Sequence, residues 1–181
     1  IGFLRVGKNS FFRITTAGYI TVIRQTPLLI QLMCWYFVGF LSIRNNSFLN
    51  LSNVVNISNK GIDLFGLNLS SEFSALLFGL SIFSSAFIAE VIRGGIQSVP
   101  VGQWEAFRSL GISEKQGFIK IIIPQALPAF IPGLTSQYLN LAKNSTLAIA
   151  IGYADLYAIN DTIINQTGRA VECFIILLCS F

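Results

Sequence analysis

The sequence predicts an all-α membrane protein built from apolar helices, and three observations lead to this fold class. Hydrophobic residues make up 53% of the 181 residues and charged residues only 11%. The mean hydropathy is +0.67. A soluble domain carries about 25% charged residues, so this chain has too few polar groups to cover a water-exposed surface. The apolar residues also lie in long runs, as membrane-spanning helices require.

The composition also excludes several classes of function. The chain has no histidine, which removes the commonest general base and the commonest zinc ligand. Its 12 Lys and Arg are spread singly rather than clustered, so we expect a lipid bilayer and no nucleic acid as partner. The sequence begins at Ile1 and stops at Phe181 inside an apolar run, which predicts a fragment, open at both ends, of one membrane domain over 1–181.

Two runs predict the first membrane helices, over 17–43 and 73–92. The stretch from Pro27 to Ile43 has only Gln31 and Ser42 as polar interruptions. At 1.5 Å per residue, both helices are long enough to cross a bilayer with some tilt. The second run carries small residues such as Gly79 and Ala89, which allow close helix packing in lipid.

Three further segments follow. The third apolar run, 119–142, contains Pro124, Pro128 and Pro132 on one helical face, which predicts a kinked membrane helix. Residues 143–169 are predicted to be an external or re-entrant segment. Residues 170–181 are predicted to start a further membrane helix.

Basic residues predict the orientation. Segment 44–72 holds seven Asn and five Ser and is predicted to be an exposed polar loop. Eight basic residues lie before the apolar stretch that begins at Pro27 or after the second run, whereas segments 44–72 and 143–169 together hold four. The eight are Arg5, Lys8, Arg13, Arg24, Arg93, Arg108, Lys115 and Lys120. By the positive-inside rule, residues 1–16 and 93–118 are expected on the cytoplasmic side and the loop 44–72 on the outer side.

The cytoplasmic loop 93–118 is predicted to form two short helices joined by a sharp turn. Trp104 and Phe107 fall on one side of the first helix, and Glu105 is expected to pair with Arg108. Gly111 suits a left-handed helix cap. Ser113 followed by Gln116 is a capping-box pattern. Two interpretations fit: an amphipathic hairpin on the membrane surface, or a knob that docks to a soluble partner.

The loop resembles a known family. Glu105-Ala106, with Gly111 and later Ile123-Pro124, resembles the EAA loop of permease subunits in ATP-binding cassette (ABC) importers. The surrounding sequence resembles the polar and general L-amino acid branch of this family. The two stretches that carry this resemblance are FIAEVIRGGIQSVPVGQWEAFRSLG and IIIPQALPAFIPGLTSQYLNLAKNSTLAIAIGYADL. One position departs from the family pattern, because Phe107 stands where a second Ala is usual.

The resemblance implies a type I ABC importer transmembrane helical bundle, multi-pass in the bacterial cytoplasmic (inner) membrane. It implies as partners a separate ABC ATPase subunit, a second permease subunit (homo- or heterodimer), an external substrate-binding protein and an amino acid substrate. The EAA helix would insert into a groove of the ATPase. The coupling residues would be Trp104, Glu105, Ala106, Phe107, Arg108 and Gly111, although Trp104 and Phe107 can equally pack inward.

The nucleotide is expected in a partner chain. The sequence contains no GxxxxGK[ST] phosphate-binding loop. We therefore expect a transport subunit that is not itself an enzyme, without cofactors of its own, and with ATP bound by the ATPase subunit.

Polar residues inside the apolar segments predict a substrate pathway, because such residues are costly in lipid. The stretch from Gln137 to Thr146 places amide, ammonium and hydroxyl groups where the helix is predicted to be interrupted, a common arrangement in transporters. The alternative for Lys143 is a snorkelling helix end. The candidate pathway residues are Gln31, Gln137, Asn140, Lys143, Asn144, Ser145 and Thr146.

Glu90 and Arg93, by contrast, are expected to form a structural pair three residues apart on one helix. Alternative functions are the same architecture carrying another small solute, and a membrane scaffold or channel that never meets an ATPase. An intramembrane enzyme is disfavoured, because the spans lack histidine and paired acids.

Overall fold

The computed structural model describes residues 10–42, 49–51, 55–58, 60–64 and 67–180. The chain divides into two compact units, one formed by Ile1–Gln25 with Phe83–Asn140 and the other by Thr26–Ile82 with Leu141–Phe181. Helices make up most of the described chain and one small sheet accompanies them. The predicted, mainly helical fold is thus confirmed. The strands were not predicted.

The helix predicted over 17–43 is interrupted in the structure. Helix α1, Ser10–Gln25, ends before Pro27, and α2, Leu28–Met33, begins directly after it and continues as a π-helix over Cys34–Leu41. Proline has no N–H to donate and disfavours the helical conformation in the residue before it. The backbone at Pro27 is extended, with φ −60° and ψ 135°. The prediction of one continuous helix is corrected accordingly.

The segment predicted to be a polar loop, 44–72, contains an antiparallel sheet. Its strands are β1 Leu49–Leu51, β2 Val55–Ser58, β3 Gly61–Leu64 and β4 Leu67–Ser70, in spatial order β1-β2-β3-β4. Apolar and polar positions alternate along each strand, which is the period of a β-strand. The rest of the predicted loop before β4 lies outside the described residues, Lys60 excepted.

Helix α3, Ser71–Gln97, is longer than the predicted span 73–92 at both ends. At its start, the Phe73 N–H donates to the Ser70 hydroxyl at 3.2 Å, a typical N-cap contact. At its other end, helix α3 continues through Gly95, where a Cβ atom would lie 2.7 Å from Phe130 Cβ. The first residues of the predicted loop 93–118 are therefore helical.

The remaining elements follow closely. Helices α4, Val101–Ser109, and α5, Glu114–Gly117, form the loop, and a π-helix, Phe118–Ile122, leads into α6, Ile123–Asn144. Pro128 and Pro132 lie inside α6, within the segment predicted as a kinked helix. Over the predicted external or re-entrant segment, the structure has a 3₁₀ helix, Ser145–Ile151, and α7, Leu156–Thr167, and α8 covers Ala170–Ser180.

Two helical stretches of the described chain are long and apolar enough to cross a membrane. They are Ser71–Gln97 and Glu114–Ile151, the second counted through its π and 3₁₀ parts. Only 33% and 17% of their most apolar windows are buried, whereas the core helix of a soluble protein is mostly buried. Their apolar side chains therefore face outward from the chain, toward lipid or a partner. Crossings by the other predicted spans stay predictions.

Candidate functional site

The first helix of the cytoplasmic loop is held by a buried aromatic side chain. Phe107, on α4, is only 1% exposed and lies in a cluster with side chains of α3 and α6. Trp104 is half-buried, with its ring 6.1 Å from that of Phe107 and 6.0 Å from that of Phe118. Of the two alternatives for these aromatic residues, the structure shows inward packing. The other members of the buried cluster are Ile96, Val99, Ile122, Ala126 and Phe130.

Phe107 fits only because Gly117 faces it. A Cβ atom at position 117 would lie 2.4 Å from Phe107 Cδ2, closer than side chains pack. Gly117 is buried on α5, so the two short helices meet at this pair. The sequence pattern did not reveal Gly117, since nothing local marks a glycine that is needed for packing.

The turn between α4 and α5 has the predicted left-handed cap. Gly111 has φ +69°, the Gly111 N–H donates to Arg108 O at 3.0 Å, and the Ile112 N–H donates to Phe107 O at 3.1 Å. These two bonds define a Schellman motif, whose hydrophobic contact is made here by Ile112 packing against the Phe107 cluster. Helix α5 begins at Ser113, whose hydroxyl accepts from the Gln116 N–H at 3.4 Å. Both local predictions are confirmed.

Arg108 pairs with a different carboxylate from the one predicted. Its Nε lies 2.9 Å from Glu114 Oε1, and no bond to Glu105 is found among the described residues. The reversal at Gly111 brings the first turn of α5 beside the last turn of α4, which sequence spacing alone does not show. Both side chains are about half exposed, so the pair contributes no more than about 1 kcal/mol.

Much of the surface of α4 outside the Phe107 cluster is open. Glu105 and Ala106 are exposed, and Val101 and Leu110 are exposed by 70% and 77%. We call these four residues the coupling face. A carboxylate, a small residue and two large apolar side chains, exposed on a short helix and its C-cap, suit protein docking.

The predicted pathway residues fall in both units. Gln137 is half-buried and Asn140 exposed, both on the part of α6 that belongs to the first unit. Gln31 belongs to the second unit, is 9% exposed, and donates from Nε2 to Thr26 O at 3.1 Å. Lys143 is exposed and Asn144 is half-buried, and both also belong to the second unit.

The helix changes type at Ser145, near the end of the stretch from Gln137 to Thr146 in which an interruption was predicted. Helix α6 is continuous to Asn144 and a 3₁₀ helix follows. The Ser145 hydroxyl donates to Ala142 O at 2.7 Å and the Thr146 hydroxyl to Lys143 O at 2.8 Å. Each hydroxyl thus donates a hydrogen bond to a backbone carbonyl at the point where the helix changes type. Lys143 and Thr146 line a cavity of about 270 Å³ with Tyr157 and Leu177, which sequence reasoning did not include.

The predicted pair of Glu90 and Arg93 is present. Arg93 Nε donates to Glu90 Oε1 at 2.9 Å, and Arg93 also bonds Gln97 one turn further on. Its partners on the same helix support the structural interpretation.

Known proteins with similar sequences are amino acid permeases. The chain is 56% identical over 108 residues to the putative amino-acid ABC transporter permease protein YhdX of Escherichia coli, covering 59% of this chain and 28% of that protein. It is 36% identical over 158 residues to the probable glutamine ABC transporter permease protein GlnM of Bacillus subtilis, covering 87% of this chain and 62% of that protein. The chain thus spans only about a quarter of the length of YhdX.

A solved structure is also similar. A chain of an amino acid ABC transporter crystallised with histidines is 34% identical, superposes with a TM-score of 0.73, and is matched over 98% of this chain and 72% of that one. The predicted fold class and family resemblance are both confirmed. Residues 2–180 match the family described as the inner membrane component of binding-protein-dependent transport systems. The chain belongs to this family of membrane proteins.

Proposed function

We propose that this chain is part of a membrane-spanning permease subunit of an ATP-driven amino acid importer. In this role, the coupling face, Val101, Glu105, Ala106 and Leu110, docks to a separate ATPase subunit. The observation that carries the proposal is the loop itself. One side of α4 is anchored by Phe107 against three helices, and the other side is left uncovered.

A loop that couples an ATPase subunit to the membrane helices must be stiff. A docked helix transmits movement only if it does not turn or fold independently of the helices behind it. The Phe107 and Gly117 contact, the Gly111 cap and the pair of Arg108 with Glu114 each restrain α4. Residue Ile96 of α3 and Ile122, just before α6, belong to the same buried cluster. Movement of α4 would therefore be passed to both long helices.

The proposal also names partners. ATP would bind in the ATPase subunit, and this chain would have no cofactor of its own. A second permease subunit, identical or different, would complete the pathway, and an external binding protein would deliver the substrate. The chain would cross the bacterial inner membrane several times. Support comes from the family, whose description names both a binding-protein-dependent system and the inner membrane.

An amino acid substrate needs donors for its carboxylate and acceptors for its ammonium. Lys143, Asn144 and Gln31 offer both kinds of group. Tyr157 adds a hydroxyl to the cavity that Lys143 and Thr146 line. The names of the relatives, which include general and glutamine amino acid permeases, support the same substrate class.

Cross-linking tests the docking step. The full-length chain, with Cys34, Cys173 and Cys179 replaced, carries Ala106→Cys and is treated with a short cross-linker in membranes that contain the candidate ATPase. We expect a cross-link to the ATPase whose yield changes with ATP. Val99→Cys, at a buried position of the same loop, is the matched control and should stay unlinked. A cysteine at 106 that is reachable from the cytoplasm yet captures no ATPase would contradict the proposal.

A further inference from the structure

Helices α7 and α8 meet through a buried amide. Asn160 is the buried residue of α7 and Cys173 that of α8, each only 4% exposed, and both helices are described in full. The Asn160 Nδ2 donates to the Cys173 carbonyl oxygen at 3.0 Å. Gly168 and Arg169 join the two helices, so the bond links the arms of a hairpin. The hairpin lies within one compact unit.

Asn160 occupies the apolar side of α7. Leu156, Ile163 and Ile164 lie three or four positions away from it along the chain, which places them on the same side of the helix. A buried amide costs free energy unless it is hydrogen-bonded. The bond to Cys173 O therefore explains how a polar residue is accommodated at a position where the pattern of the helix is apolar.

A single polar bond can set how two apolar helices align. Lipid chains are as apolar as leucine, so apolar contacts between membrane helices do little to select one register. A buried polar residue that needs one partner does select a register. If α7 slid or turned by one residue, Nδ2 of Asn160 would leave Cys173 O. The bond thus fixes α7 both along and around α8.

This bond lies one helical turn from the cavity near the end of α6. The residues that line the cavity, of about 270 Å³, are Lys143, Thr146, Tyr157 and Leu177. Tyr157 precedes Asn160 by three residues on α7, and Leu177 follows Cys173 by four on α8. The hairpin therefore carries two of these lining residues, and its register decides where they stand relative to the other two.

Helix α7 is a separate, rigid element. Its first turn is capped by Asp155, whose Oδ1 accepts from the Ala158 N–H at 2.9 Å. Gly152 precedes the helix with φ +78° and Gly168 ends it with φ +68°, so the chain turns sharply on both sides. Residues one turn apart in such a helix move together. A shift of α7 at Asn160 is therefore passed to Tyr157.

Asn160 does not contact the cavity directly. It is 4% exposed and is not among the described residues that line the cavity. We propose that Asn160 is a positioning residue of the transport pathway, because its bond to Cys173 O holds Tyr157 at the cavity beside Lys143. The inference rests on the proposed transport function, in which this cavity takes an amino acid. The Tyr157 hydroxyl would then be one of the groups that bind the amino acid.

The test measures binding to the purified full-length complex without binding protein or nucleotide. The probes are radiolabelled L-glutamine, L-glutamate, L-histidine and L-arginine, and each titration gives a Kd and a number of sites. Misfolding lowers the number of sites, whereas a displaced Tyr157 raises the Kd. The variants are Asn160→Leu, Tyr157→Phe and the two combined. Asn165→Leu, which replaces an exposed amide on the same helix, is the matched control.

We expect Asn160→Leu to raise the Kd of at least one probe by about threefold or more, the effect of one net hydrogen bond. Tyr157→Phe should raise the Kd of the same probe. The combined variant should bind no more weakly than the weaker single variant, because both changes remove the same contact with the amino acid. Asn165→Leu should leave the Kd and the number of sites unchanged.

Several results would overturn the inference. A Kd of Asn160→Leu equal to that of wild type would do so and leave the proposed transport function standing. The same holds if the two effects multiply in the combined variant, since Asn160 would then not act through Tyr157. If Asn160→Leu does not assemble, Asn160→Ser replaces it, because a helical serine hydroxyl bonds its own helix, and an unchanged Kd counts equally against the inference. Wild-type complex that binds none of the probes would overturn the proposed substrate pathway as well.

Discussion

The ring of Phe107 lies against Gly117 so closely that a Cβ atom at position 117 would be 2.4 Å from Phe107 Cδ2. This contact joins the two short helices of the coupling loop and connects them to α3 and α6. If the loop transmits force, then loosening this contact should impair transport before it impairs substrate binding.

Gly117→Ala should therefore destabilise the loop. The added methyl group must displace a ring that is 1% exposed, and overpacking of this kind costs about 1–3 kcal/mol. We expect a lower Tm of the purified complex and a several-fold loss of substrate-stimulated ATPase activity. Gly94→Ala, within helix α3 where a Cβ atom meets nothing within 4 Å, is the control; it should leave the ATPase activity unchanged and should not lower the Tm. Equal behaviour of the two variants would contradict the packing account.

Gly111→Ala tests the turn rather than the packing. Nothing lies within 4 Å of a Cβ atom at this position, but its φ is +69°, which costs an ordinary L-residue about 1–2 kcal/mol. We expect Gly111→Ala to reduce ATP-driven uptake and Gly111→Asn to reduce it less, because Asn tolerates this conformation. Uptake assays in proteoliposomes measure the difference. If Asn is as harmful as Ala, backbone strain is not the cause.

The pair of Arg108 with Glu114 should stiffen the loop modestly. Arg108→Glu and Glu114→Arg each place like charges together, and the double exchange restores the attraction. Because both side chains are about half exposed, we expect a coupling energy below about 1 kcal/mol from a thermal-unfolding double-mutant cycle at low salt. The value should fall as salt is raised. A double exchange no more stable than either single variant would show that the pair contributes nothing.

The substrate pathway makes a separate prediction. Replacing Lys143, Asn144 and Gln31 together by Ala should abolish most amino acid uptake, because the substrate would lose its polar partners in the membrane segments. ATPase subunit binding should persist, since the coupling face is untouched. Uptake and co-purification of the ATPase are measured on the same preparation. Uptake at the wild-type rate would remove these residues from the pathway.

Local signals in the sequence were sufficient for the coupling loop. Gly111 and Ser113 mark a cap and a helix start through their own chemistry, and both appear as predicted. The predicted pair of Arg108 with Glu105 was wrong. Arg108 pairs with Glu114 instead, because the turn at Gly111 folds the second helix back beside the first. The role of Gly117 was missed for the same reason, since it depends on a ring ten residues earlier in the chain.

The other differences also have physical causes. Pro27 interrupts the helix predicted over 17–43. The prediction gave more weight to the length of the apolar run than to the tendency of proline to end a helix. The sheet within 44–72 was not predicted, because the many asparagines of this segment are typical of a loop. The alternation of apolar and polar residues in β1–β4 was the signal that indicates strands. Arg24 was counted only as a flanking charge, and its contact with Phe87 requires the packing of α1 on α3.

ATP-driven uptake tests the central claim most directly, with the complete transporter reconstituted in proteoliposomes and Glu105→Lys compared with wild type. Glu105 is exposed on the coupling face, so its reversal should disturb docking without disturbing the fold. We predict that wild type accumulates amino acid only with hydrolysable ATP, and that Glu105→Lys loses about tenfold or more of that uptake while still binding substrate, the size expected for breaking a charged contact. Uptake that does not require ATP, or that Glu105→Lys leaves unchanged, would contradict the account.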